Sequence, residues 1–347
     1  MEFLNKDHIK RIVVLAIILY IFLLSIKLMG GSFKLLGNDF ANYLLTLTSN
    51  PFVGLFIGIL ATSLVQSSSV TTSITVAMTA SGILPIAHSI PIVMGANIGT
   101  SITNTIVSLA HIHNRSEFKK AFEVATIHDI FNIIIVSIMF PIEMIFSPLQ
   151  KMSVYMSELF TGQSIGGTFS SPLNLLLSPV VDIIKKVFTE SPLLLLLISV
   201  LLVYGSLYYF VKIIRPLATE EFKHFLNDHI FERPLRSFGF GLVLTAIVQS
   251  SSVTTSLVVP LVGIGMITLD RIFPYIIGAN IGTTFTSMMA ALATGSSSAL
   301  IVSFSHFFLN TIGSTVLYAF RQIPLYLSRS LGHISFRYRS AAIAYIV

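Results

Sequence analysis

Long apolar runs dominate the chain, and polar residues interrupt them at repeated places. A full crossing of the hydrocarbon core takes about 20 mostly apolar residues, and four segments supply that without a break: about 11–29, 122–140, 192–213 and 299–320. Two more apolar segments, 83–109 and 266–292, carry Gly-Ala-Asn-Ile-Gly-Thr in their middle, at Gly95–Thr100 and Gly278–Thr283. They are predicted to be broken transmembrane helices. Segments 52–82 and 236–265 differ again, with an apolar arm, a polar string and a second arm. At about 1.5 Å per residue each arm reaches only about 20 Å, short of the roughly 30 Å core. A re-entrant helical hairpin with the polar string at its tip is the expected form.

The interruptions are copies of one another. Val-Gln-Ser-Ser-Ser-Val-Thr-Thr-Ser stands at Val65–Ser73 and again at Val248–Ser256, 183 positions on, and the Gly-Ala-Asn-Ile-Gly-Thr strings share that offset. A third echo pairs His128 and Asn132 with His306 and Asn310, 178 positions on. The chain thus divides into a first half over 1–140 and a second over 192–322. Each half reads as transmembrane helix, amphipathic connector (about 33–48 or 217–233), hairpin, broken helix and transmembrane helix. A Ser-, Gly- and Pro-containing external loop (141–191) separates the halves, and a tail (323–347) follows. Three crossings lie between the hairpins, and an odd number turns the second half upside down. The expected fold is therefore an all-α integral membrane protein built from inverted-topology repeats, the plan of secondary transporters.

Composition agrees: 54% of the 347 residues are hydrophobic and 10% charged, against about 25% charged in soluble domains. With no cysteine, disulfides and thiolate chemistry are excluded. The formal charge of +6 does not point to nucleic acid, because no soluble basic domain is present to hold it. It reflects instead the concentration of Lys and Arg in cytoplasmic loops. On the six-crossing topology only Lys27, Lys34, Lys151, Lys185 and Lys186 fall outside, and the other sixteen of the 21 basic residues fall on the side of both termini. Both termini are thus expected in the cytoplasm, in a multi-pass protein of the cell inner membrane. The basic N-terminus and first apolar run resemble a secretory signal, but without a small-x-small cleavage site they read as an uncleaved helix.

Helix breaks in hydrocarbon are tolerated only where they face protein or a watery cavity, so breaks at similar depth predict a shared polar cavity near the midplane. The arm ending at Gln66 would bring unpaired carbonyls to it, and the arm starting near Ser68 unpaired N–H groups. The broken helices would do the same near Asn97 and Thr100, their glycines allowing the turn. Carbonyl, amide and hydroxyl oxygens suit Na⁺, whereas helix N-termini with Ser and Thr suit an oxyanion. No Asp or Glu occurs from Phe40 to Ser116, and the hairpin and broken helix of the second half (236–292) have only Asp270. Proton coupling generally needs a titratable group in the membrane; sodium coupling does not. Each string also has a bland reading as small-residue helix packing, and His128, Asn132, His306 and Asn310 read best as hydrogen bonds supporting the hairpins. A serine hydrolase would need one activated serine with a base, which two identical clusters do not offer, so no enzyme is expected. An anion channel is the other non-carrier reading.

With Gln66-Ser-Ser-Ser69 and Gln249-Ser-Ser-Ser252 in duplicated units, each followed by Gly-Ala-Asn-Ile-Gly-Thr, the chain resembles the type II sodium–phosphate cotransporter family and its bacterial relatives over about 50–140 and 235–322. The resemblance implies sodium-coupled symport of inorganic phosphate by alternating access. The substrate- and sodium-binding set it implies is Gln66, Ser67, Ser68, Ser69, Thr71, Thr72, Asn97 and Thr100, with Gln249, Ser250, Ser251, Ser252, Thr254, Thr255, Asn280 and Thr283. Within that set Na⁺ falls to Gln66, Ser68, Gln249 and Ser251, as a transported ion, with no cofactor. The alternative keeps the architecture and changes the cargo to another small oxyanion or carboxylate, or reverses the direction to phosphate export. Many bacterial relatives carry a soluble regulatory domain after the core; only about 25 residues follow here. Regulation is then absent or supplied by a separate protein, and a homo-oligomer is the other partner to consider beside lipid.

Overall fold

The computed structural model describes residues 6–162, 172–214 and 230–338. Among these, all regular structure is helical: α1 (Lys6–Thr48), α2 (Pro51–Val65), α3 (Ser68–Ser81), α4 (Ile86–Ile98), α5 (Ile102–Ser108), α6 (Arg115–Phe146), α7 (Pro148–Thr161), α8 (Pro172–Val187), α9 (Pro192–Ile214), α10 (Pro234–Val248), α11 (Ser251–Ser256), α12 (Val259–Gly263), α13 (Leu269–Thr294), α14 (Ser297–Ala319) and α15 (Gln322–Arg337). Five helices among the described residues are long and apolar enough to cross a membrane: Val13–Leu36 within α1, α6, Pro192–Tyr209 within α9, α13 and α14. The chain is an all-α membrane protein.

Both hairpins form. Thr62 Oγ1 donates to Thr71 Oγ1 at 2.9 Å, although nine residues of continuous helix would put them about 13 Å apart along the axis. The chain therefore reverses between them. The second copy repeats the contact, with Thr245 and Thr254 hydroxyls 2.7 Å apart.

Each first arm is seated by a row of small residues one helical turn apart. Gly54, Gly58 and Thr62 are the buried side of α2, and Ser237, Gly241 and Thr245 belong to that of α10. Phe52, Phe56, Leu60 and Leu64 cover the outward side of α2. Lipid supplies little hydrophobic drive between helices, so small residues are what allow this close backbone approach. The partner surfaces are the Gly-Ala-Asn-Ile-Gly-Thr strings: a Cβ on Gly95 would collide with the carbonyl of Leu55, and one on Gly278 with that of Phe238.

This corrects the expected role of those glycines. None of Gly95, Gly99, Gly278 and Gly282 has a positive φ; they make room for a neighbouring helix rather than a turn. In the second copy no break occurs, and α13 runs unbroken through Gly278–Thr283. The first copy only tightens into a 3₁₀ turn over Gly99–Ser101 before α5. Thr100 and Thr283 accordingly donate to carbonyls one turn back, Ala96 at 3.0 Å and Ala279 at 3.1 Å.

Segment 33–48 is no separate connector, because α1 continues through it for 43 residues. Its counterpart at 217–233 lies largely outside the described residues. The helix expected over 122–140 is longer, starting at Arg115 and passing Pro141 to Phe146. The expected loop 141–191 is helical over α7 and α8, each opened by a proline, a residue suited to the first helical turn. Glu143 caps α7: its carboxylate accepts from the N–H groups of Leu149 at 2.7 Å and Gln150 at 3.0 Å. The tail is also helical where described, as α15, which packs on α6. Ser328 Oγ donates to the carbonyl of Glu123, and Arg329 pairs with Asp270 at the start of α13.

Candidate functional site

The two hairpin tips are built alike. Gln66 and Gln249 cap their first arms in the left-handed region, at φ 57 and ψ 28 and at φ 57 and ψ 24. Each N–H is held by the carbonyl four residues back, Thr62 or Thr245, at 2.7 Å. Few non-glycine residues adopt this conformation, which costs roughly 1–3 kcal/mol and gathers at functional sites. The next residue is extended, with φ −153 at Ser67 and −151 at Ser250. Their hydroxyls accept from Val70 N–H at 3.3 Å and Val253 N–H at 3.4 Å, opening the second arms. Identical sequence thus yields nearly identical backbone at two places in the fold.

The tips meet. Ser69 Oγ donates to the Gln249 carbonyl at 3.0 Å, joining the first half to the second. Gln66, Ser67, Gln249 and Ser250 line one cavity of about 570 Å³, with Val65, Val70 and Val253 beside them. Ser68, Ser69, Ser251 and Ser252 are buried directly behind. Gln249 Nε2 rests against Met289 Sδ at 3.6 Å, and its Oε1 is buried without a hydrogen-bond partner. A buried, unpaired carbonyl oxygen costs about 1–3 kcal/mol, which a cation would relieve. The donor set is one of amide, hydroxyl and carbonyl oxygen, and no cluster of three or more metal-ligating His, Cys, Asp or Glu occurs among the described residues.

The remaining expected ligands do not line that cavity. Thr71 and Thr254 tie the arms of their hairpins together. Thr72 donates to the Ser68 carbonyl at 2.8 Å, and Thr255 to that of Ser251 at 2.7 Å. Asn104 Nδ2 further donates to Thr255 Oγ1 at 2.8 Å. Asn97 and Asn280, with His128, Asn132, His306 and Asn310, form a two-fold-like clasp between the halves. Asn310 Nδ2 donates to the Asn280 carbonyl at 3.0 Å. A carbonyl only accepts, so Asn310 Oδ1 faces Asn97, whose Nδ2 donates to it at 2.7 Å. Asn97 Oδ1 is then left to accept from His306 Nε2 at 3.0 Å, which places that imidazole proton on Nε2. The mirror set runs from Asn132 Nδ2 to the Asn97 carbonyl (3.0 Å), Asn280 Nδ2 to Asn132 Oδ1 (2.9 Å), and His128 Nε2 to Asn280 Oδ1 (3.4 Å). All six residues are buried, and none lines the tip cavity.

One wall of that cavity is absent from the sequence reading. Tyr204, Leu207, Tyr208 and Lys212 of α9 line it. Tyr204, Tyr208 and Lys212 recur every fourth residue, which puts them on one helix face. A polar stripe on an otherwise leucine-rich helix was the signal. The two rings stack with centroids 6.3 Å apart.

A family model described as Na+/Pi-cotransporter matches residues 21–167 and 201–328. Among curated proteins, sodium-dependent phosphate transport protein 2B of Homo sapiens is 32% identical over 98% of this chain, and the chain spans 63% of its length. Sodium-dependent phosphate transport protein 2A of Rattus norvegicus is 30% identical over 95% of this chain, which spans 64% of it. No solved structure matches significantly.

Proposed function

The chain belongs to the Na+/Pi-cotransporter family, and on that premise we propose that it carries inorganic phosphate into the cell with Na⁺, by alternating access across the inner membrane. The observation that carries this reading is the single cavity lined by both Gln-Ser-Ser-Ser tips. Na⁺ is held by the oxygens at the tips, with Gln249 Oε1 as the ready acceptor and Gln66, Ser68 and Ser251 completing the set. Phosphate is held by serine hydroxyls, by the N-terminal amides of α3, and by Lys212 at the cavity edge. A helix terminus contributes about 0.3–2 kcal/mol to an anion, less than binding a multiply charged oxyanion requires. Co-bound sodium supplies the rest, and that shared charge balance is the physical basis of coupling.

The α2 and α3 arms, of 15 and 14 residues, are too short to cross and enter from one face only. With the halves inverted, the second hairpin enters from the cytoplasm and the first from outside. Both termini then lie in the cytoplasm. Phosphate uptake into proteoliposomes under an imposed inward Na⁺ gradient tests the proposal: accumulation should collapse when Na⁺ is equal on both sides. Accumulation that ignores Na⁺ and follows a proton gradient would refute it.

A further inference from the structure

A groove of about 550 Å³ runs between α10, α13 and α14 and shares no residue with the tip cavity. Phe238, Pro274, Ile277, Ile281 and the ring of Tyr318 make most of its wall. Two hydroxyls in the lining are already used inside the protein. Ser314 Oγ donates to the Ile277 carbonyl at 3.4 Å, and Thr315 Oγ1 to that of Thr311 at 2.9 Å. Leu235 and Tyr318, at the rim, are exposed. On a membrane protein an exposed apolar surface of this kind faces hydrocarbon, so an acyl chain is the natural filling.

Charge gathers at one end of the groove. Arg233 and Arg236 flank Pro234 and Leu235, the two groove residues that open α10. Arg271 stands in the first turn of α13, and its carbonyl accepts from Ser237 Oγ of α10 at 3.3 Å. Arg321 lies just past the end of α14, its guanidinium 5.8 Å from the centre of the Tyr318 ring. All four arginines are exposed, and among the described residues none of them is in an ion pair. Asp270, at the same end, is taken by Arg329. Glu232, beside Arg233 in sequence, offsets no more than one of the four. An excess of arginine on the cytoplasmic side follows from membrane topology; its concentration at the mouth of an apolar groove does not.

We propose that this groove binds an anionic phospholipid, with the phosphate headgroup on the arginine collar and an acyl chain along α13 and α14. An apolar slot closed by cations is complementary to that class of molecule, and the guanidinium fork matches phosphate oxygens in pairs. Placing the lipid in the cytoplasmic leaflet rests on the orientation proposed above; the binding claim does not.

The chain has no tryptophan, so Tyr318→Trp puts a single fluorescent reporter in the groove and keeps an aromatic ring under Arg321. The full chain is reconstituted in phosphatidylcholine liposomes doped with lipid brominated on its acyl chains. Either phosphatidylglycerol or phosphatidylcholine carries those chains, so only the headgroup differs. At low salt the brominated phosphatidylglycerol should quench at a mole fraction lower by about 5-fold or more, the scale of one basic residue near an anionic lipid. Val243→Trp, exposed on α10 outside the groove lining, should show no such preference. Adding Arg233→Gln with Arg236→Gln to the Tyr318→Trp chain should remove most of the preference, whereas Arg233→Lys with Arg236→Lys should keep most of it.

Equal quenching by the two lipids at position 318 would overturn the proposal, and so would a preference that survives loss of both arginines. Quenching by neither, with Val243→Trp still quenched, would overturn it in favour of a protein cover such as a second copy of the chain. If the headgroup preference is present but wild type shows no Na⁺-driven phosphate uptake, the transport function fails and the lipid site stands.

Discussion

Replacing Asn97 by alanine distinguishes a ligand from a clasp. The side chain makes two buried bonds to the other half, from Nδ2 to Asn310 and from His306 to Oδ1. Alanine leaves Asn310 Oδ1 and His306 Nε2 unpaired in a dry interior. In a soluble core each orphaned group would cost about 1–3 kcal/mol. In a bilayer the unfolded reference also finds partners, and interhelical bonds average about 0.6 kcal/mol, with a maximum near 1.7. Two bonds therefore put the expected loss at about 1–3 kcal/mol. Asn280→Ala should cost a similar amount, because His128 and Asn132 bind it in the same pattern. The double variant should lose less than the sum, since each side chain's partner also holds the other's backbone carbonyl and the bonds form one network. Thermal unfolding in detergent, followed by size-exclusion chromatography, reads stability; sodium and phosphate half-saturation in proteoliposomes read binding. A variant that melts like wild type but needs far more sodium would refute the clasp and restore Asn97 as a ligand.

Gly278→Ala should sharply reduce folded yield, because its Cβ would collide with the Phe238 carbonyl and overpacking costs about 1–3 kcal/mol or more; Gly239→Ala, with nothing within 4 Å, is the control that should express normally. Gln249→Ala should raise the sodium half-saturation several-fold without unfolding the chain, and unchanged sodium and phosphate affinities would dismiss the tip cavity as the site. Lys212→Gln should weaken phosphate binding at low salt and flatten its salt dependence, with Lys212→Arg close to wild type; equal phosphate affinity and salt response in both would remove Lys212 from the site. Arg329→Ala should shift the melting temperature very little, since the ion pair with Asp270 is half-exposed and such pairs contribute about 0–1 kcal/mol.

Repetition made the hairpins legible. An apolar arm too short to cross, a polar string and a second short arm leave few alternatives to a reversal, and two identical strings fold into tips of nearly identical backbone. The break assigned to the second Gly-Ala-Asn-Ile-Gly-Thr string is absent, and the glycines' role was misread in both copies because a glycine has two uses, an unusual φ or a close neighbour, and sequence does not say which. Only the collisions at Leu55 and Phe238 decide for the neighbour. The helices within 141–191 were missed for a similar reason. Proline reads as a breaker, yet at a first helical turn it costs nothing, and the cap on α7 comes from Glu143 on the preceding helix.

Sequence by itself determined that this is a membrane protein of two related halves, with polar, acid-free strings in its interior. Those properties depend only on local composition and on the copy count, which survive any folding. Tertiary structure alone decided how the polar side chains are used. An asparagine in a buried helix can hold an ion or another asparagine at similar cost, and the choice depends on which atoms of the other half come within about 3 Å. The structure spends Asn97, Asn280 and the two histidines on joining the halves. It leaves the Gln-Ser tips, with Tyr204, Tyr208 and Lys212, around the cavity.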